Sequence, residues 1–113
     1  QYPEPKRRLK RFVDILLNEE QNIVRFGCPM GTLSAELGKT QVDLQARAAE
    51  MFDLFVDWLK AQFLALGHAN KSRAHALHLL AAAQGISLIT HVYADAKFLN
   101  REAALLKDWI DSL

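Results

Sequence analysis

The chain has 113 residues, half of them hydrophobic, and its 14 lysines and arginines nearly balance 13 aspartates and glutamates. That length supports one domain with a single core, and a formal charge of +1 gives no overall field to select nucleic acid or a membrane surface. A lone cysteine, Cys28, excludes an internal disulfide and makes a reduced, cytoplasmic setting the default, and no run of about 18 apolar residues predicts a membrane span.

The opening, QYPEPKRRLKRF, is basic but lacks the apolar stretch of a signal peptide. It also lacks an initiator methionine, so a chain processed or cut from something longer is expected. Pro3 and Pro5 bound the start. Leu9, Phe12, Val13, Leu16 and Leu17 recur at i, i+3, i+4, i+7 and i+8, which predicts an amphipathic helix over residues 5–21. Its basic run, KRRLKR at 6–11, reads as a solvated face opposite Leu9 and Phe12. A phosphate-binding helix is the other reading, but no aromatics interleave and no recognition helix is present.

RFGCPMGTLSAELG, residues 25–38, is unlike its surroundings. Gly27, Cys28, Pro29 and Gly31 fall within five residues. Pro29 suits a first helical position and Gly38 the residue after a last turn. A helix of about two and a half turns is expected between them. Thr40 with Asp43 resembles a capping box with Asp in place of Glu, opening a long helix over 41–66 that ends near Gly67. Ala48, Met51, Phe52, Phe55, Val56, Leu59, Phe63 and Leu66 form its main stripe, and Leu44, Leu54, Trp58 and Ala65 widen it to two faces.

Asn70 or Ser72 is expected to cap the next helix, over 72–93, which is apolar nearly all round. Asp95 is expected to cap a last helix, over 95–112, with Phe98, Leu99, Leu105, Leu106, Trp109, Ile110 and Leu113 on its apolar side. No Gly or Pro marks the break at 94–95. The expected fold is all-α, about five helices in an antiparallel bundle forming a single domain over 1–113.

Two broadly apolar helices at the end of a small domain call for a second copy. Helices 72–93 and 95–112 are expected to pack against their symmetry mates as a dimeric four-helix bundle, with Leu79, Ala83, Ile86, Thr90, Tyr93, Phe98, Leu105 and Trp109 at the interface. Gly85 costs about 1 kcal/mol of helix propensity, which close helix–helix approach would offset. Simple tolerance, or a position facing helix 41–66, is the alternative.

No Ser-His-Asp grouping, phosphate loop or metal motif is visible, so neither an enzyme nor a cofactor is expected. His75 and His78 share a helical face, but without Glu-x-x-His or paired cysteines no metal site is expected.

GCPMGTLSAELG, the long helix with FDLFVDWLKAQFLALG and then ALHLLAAAQGISLITHVYAD resemble the C-terminal ligand-binding domain of TetR-family transcriptional repressors. Gly27, Cys28, Pro29, Gly31, Leu33, Glu36 and Leu37 match the turn, and Ala82, Gln84 and Gly85 match an A-x-Q-G in the later helix. The resemblance implies a homodimer through the last two helices and a small-molecule pocket among the first four. It also implies DNA binding only through an N-terminal helix-turn-helix of about fifty residues, which these residues do not include. The chain therefore reads as the regulatory domain alone. In such proteins an effector shifts helices and changes the spacing of the attached DNA-binding heads.

The expected effector is small and mostly apolar. Gly27 and Gly31 permit close backbone approach, the start of the short helix offers free N–H groups, and Met30 and Leu33 supply an apolar wall; a plain chain reversal is the other reading. Cys28 is either an acidified thiol or a small buried hydrophobe. Leu16, Phe52, Phe55, Trp58 and Leu59 are candidate walls that would equally suit a core, and Thr32, Gln84 and His91 are candidate polar anchors. Gln84, amid apolar residues, needs backbone, a ligand or its mate across the dimer as partner. The competing function is a helical interaction module without a ligand, which a solid core would favour.

Overall fold

A computed structural model of the chain describes residues 3–27 and 42–113, with side chains described for 4–27 and 46–113. Cys28, Met30, Gly31, Thr32 and Leu33, the short helix expected from Pro29 and the cap expected at Thr40 lie outside the described residues. The described residues form five α-helices and no strand: α1 (Pro3–Asn18), α2 (Glu20–Phe26), α3 (Val42–Ala65), α4 (Ser72–Tyr93) and α5 (Ala96–Asp111), with a single 3-10 turn at Ala69–Lys71. The all-α expectation holds.

The first expected helix is two. Periodicity runs out after Leu17, because residues 18–22 are NEEQN and offer no apolar marker. The chain kinks at Glu19 (φ −100°, ψ 16°). The backbone bonds Glu19 N to Ile15 O (3.0 Å) and Ile23 N to Glu19 O (2.8 Å) carry the ladder through the kink, so the helix is redirected and not ended. The new direction buries Ile23. Asn100 Nδ2 donates to Glu20 Oε2 at 2.8 Å and ties α2 to α5.

Every described helix supplies the core. Leu9 and Val13 come from α1, Val56, Leu59 and Phe63 from α3, and Leu99, Ala103, Leu106 and Ile110 from α5. The spacing on α5, i, i+4, i+7 and i+11, is the single apolar stripe of an amphipathic helix. Central to all of them is α4, which packs against each of the other four. By length and composition alone, Ala69–Tyr93 would also suit a membrane span, with mean hydropathy 1.2. Its inner face, Ala76, Leu79, Leu80, Ala83, Ile86 and Thr90, is buried in the domain core.

Helix ends follow local chemistry. After α3, Gly67 N bonds Leu64 O (2.9 Å) and His68 N bonds Phe63 O (3.1 Å), a Schellman motif with Gly67 at φ +91°. The same motif ends α4: Ala94 N bonds His91 O and Asp95 N bonds Thr90 O. Here the left-handed position is filled by Ala94 at φ 49°, which explains why no glycine marked the break. Asp95 caps α5, accepting from Lys97 N (3.0 Å) and Phe98 N (3.2 Å). The cap expected from Asn70 or Ser72 is corrected. Lys71 occupies that position without a side-chain bond, because the 3-10 turn runs straight into α4, and Ser72 Oγ instead donates back to Ala69 O at 3.1 Å.

Candidate functional site

A groove of about 660 Å³ opens between α1 and α3, within the range of small-molecule sites. From α1 come Arg8, Arg11, Phe12 and Ile15, at i, i+3, i+4 and i+7; from α3 come Leu54, Phe55, Trp58 and Gln62. The Phe12 and Phe55 rings meet edge-on with centroids 6.4 Å apart. Gln62 is buried. Its Nε2 donates to Trp58 O at 3.3 Å, and its Oε1 accepts from Arg8 Nη1 at 3.4 Å. With Arg8 opposite Gln62 and Phe12 opposite Phe55, one end of the groove is basic and the other, toward Ile15 and Leu54, is apolar.

Of the expected effector residues, Phe55 and Trp58 line this groove. Phe52 is half-buried against the core, and Leu16 and Leu59 are closed into it. Gln84 is half-buried on α4. The ring Nδ1 of His91 lies 3.0 Å from Val24 O, so His91 holds α4 against α2. Sequence reasoning missed Arg8, Arg11, Ile15, Leu54 and Gln62. The available signal was that 8, 11, 12 and 15 share one face of α1, while 54, 58 and 62 share one face of α3.

A second groove, about 460 Å³, runs along α4 and α5 past Ala82, Gly85, Ile89, Phe98, Leu105 and Trp109. A Cβ added at Gly85 would meet nothing within 4 Å among the described residues, so no close approach to Gly85 is made among them. Of the expected interface residues, Leu79, Ala83, Ile86 and Thr90 are buried in the chain's own core, whereas Tyr93 and Leu105 are exposed and Phe98 and Trp109 half-buried. The reason is that α4 is apolar on nearly all sides, and the domain core claims one of them.

The sequence profile of the C-terminal domain of LmrA/YxaF-like transcriptional regulators, a TetR-type domain, matches residues 5–104. The chain belongs to this TetR family. No curated protein matches it. It is thus a regulator domain, of a family of transcription regulators and not of enzymes.

The TetR-type domain carries one further cluster, at the junction of the 3-10 turn, α4 and α5. His75 lies with its ring centroid 5.6 Å from His68 and 5.4 Å from Trp109. His78 stands 5.0 Å from the same indole, and Phe63 backs it at 5.9 Å. Burial, then the nearby His68, Lys71 and His78, hold His75 below the ordinary imidazole value of 6.5. Among the described residues no group of three His, Cys, Asp or Glu side chains could hold a metal ion.

Proposed function

We propose that this domain is the effector-sensing and dimerisation part of a cytoplasmic TetR-type repressor. A small, mostly apolar molecule binds between α1 and α3 and controls DNA binding by a helix-turn-helix head. The carrying observation is the α1–α3 groove, where Ile15, Leu54 and Trp58 stay substantially exposed beside buried Gln62. Exposed apolar side chains gathered around a concavity mark a binding surface.

The second half of the proposal is a homodimer through α4 and α5. Leu88, Ile89, Val92, Tyr93 and Leu105 are all exposed, and Ala81, Ala82 and Gly85 lie among them on α4. Small residues let a partner helix approach closely. Communication needs no special wire: α1 packs on α5 and α3 on α4. A ligand that spreads α1 from α3 therefore moves the two helices on which dimer geometry rests.

Thermal-shift screening of small apolar compounds, combined with solution mass, tests this. An effector at 100 times its dissociation constant raises stability by about 2.7 kcal/mol, and the native chain runs as a dimer. A dimer that no compound stabilises is an interaction module without a ligand.

A further inference from the structure

We infer that the ligand of the α1–α3 groove is an amphipathic anion: an apolar body along Phe12, Phe55 and Trp58, and a carboxylate facing Arg8 and Arg11. This rests on the effector-site reading above and specifies its chemistry.

The charge balance at the basic end is uneven. Arg8 shares Glu4 with Arg7, at 3.9 Å and 3.5 Å respectively. Arg11 has no hydrogen-bond or ion-pair partner among the described residues. In the adjoining cleft, which Arg11 also borders, Asp14 pairs with Lys107 and Asp111 with Lys10 at 2.9 Å; the third carboxylate there, Asp108, forms no ion pair with Arg11. Two guanidinium groups one turn apart thus border a mostly apolar trough, and the one carboxylate paired with either of them, Glu4, is shared between Arg8 and Arg7.

Gln62 makes this arrangement more than a pair of surface cations. It is buried, its amide nitrogen is held by Trp58 O, and its oxygen accepts from Arg8, so the Arg8 head is held at the groove end. A ligand that covers this end removes water from both guanidinium groups. A neutral compound leaves that desolvation uncompensated, a cation is repelled, and a carboxylate meets the planar fork of Arg with charge-assisted bonds.

The test compares decanoate with decan-1-ol, equal in chain length and different in head group, by calorimetric titration of the native chain. Decanoate should bind about tenfold tighter or better, the scale of a hydrogen bond to a charged group. In Arg11→Gln decanoate affinity should fall toward that of the alcohol, and in Arg8→Gln/Arg11→Gln it should fall to it. Circular dichroism and solution mass check that each variant is folded, and the single variant stands if loss of the Arg8–Gln62 contact unfolds the double one. Equal affinities for the two probes in the native chain would overturn the anionic class and leave the effector site standing. A carboxylate preference that survives in the variants would also overturn it. Binding of neither probe below its solubility limit would count against this inference, whereas a screen in which no compound at all binds would count against the effector site itself.

Discussion

Phe12 and Phe55 meet edge-on at 62°, their centroids 6.4 Å apart, and this pair is the seam between α1 and α3. Both rings also pack against the core, so they serve the fold and the groove together. Phe55→Ala should cost about 2 kcal/mol, less than a fully buried phenylalanine, and cannot separate the two roles. Leu54 can, because it lines the groove and is 72% exposed. Leu54→Ala should stay within about 0.5 kcal/mol of native stability while weakening any groove ligand. Denaturant melts and ligand titration of the same variant check both halves.

Association through α4 and α5 makes an unequal prediction for two leucines. Leu105 is 56% exposed and Leu79 is fully buried. Leu105→Glu should give a folded monomer, seen as halved solution mass with unchanged helix content. Leu79→Glu places an uncompensated charge in the domain core and should cost about 3–5 kcal/mol or more, unfolding the chain whatever its oligomeric state. A Leu105→Glu protein that keeps the dimer mass puts the interface elsewhere.

His75 makes stability depend on pH. Its folded pKa lies below the ordinary 6.5, so the unfolded chain takes up this proton first as pH falls. The His75 contribution to stability is level above pH 6.5 and declines as pH drops through that value toward the folded pKa, below which it levels off. His75→Gln should flatten that decline without changing stability much at pH 8. Urea midpoints across pH 5–8 measure it, and Trp109 fluorescence reports the same cluster.

Ala94 sits at φ 49° in a position glycine would fill without strain. Ala94→Gly should stabilise the chain by about 1 kcal/mol. Gly67→Ala should do the reverse by a similar amount; its Cβ would meet nothing within 4 Å among the described residues, so the backbone angle decides. Thermal melts of the two variants should move in opposite directions.

Thr90 Oγ1 is buried without a hydrogen-bond partner among the described residues. Ser87, one turn earlier, satisfies its own hydroxyl by donating to Ala83 O at 2.8 Å. Thr90→Val keeps the branched shape and removes the orphan, so it should stabilise by about 1 kcal/mol. Loss of stability on that change would mean that the hydroxyl has a partner in solution.

Much of this domain is legible in its sequence. The helices followed from spacing, as in Leu9, Val13 and Leu16 or Leu99, Leu106 and Ile110, and their ends from Gly67 and Asp95. The family was legible in the motifs at 27–37 and 82–85, and two walls of the groove, Phe55 and Trp58, were among the candidates. All of these depend on interactions within a few residues, where helical periodicity and capping chemistry act.

What only the tertiary structure decided is which side of each helix meets what. A helix apolar all round, as α4 is, carries no mark of its inner face, so Leu79, Ala83, Ile86 and Thr90 read as interface residues in the sequence and lie in the core of the fold. The run KRRLKR reads uniformly as a solvated face, yet packing divides it. Lys6 and Lys10 turn to Asp111, more than 100 residues away, and Arg8 and Arg11 turn to the groove. Helix rotation is set by the summed burial of every helix at once, and a local pattern contains only one helix's share of that sum.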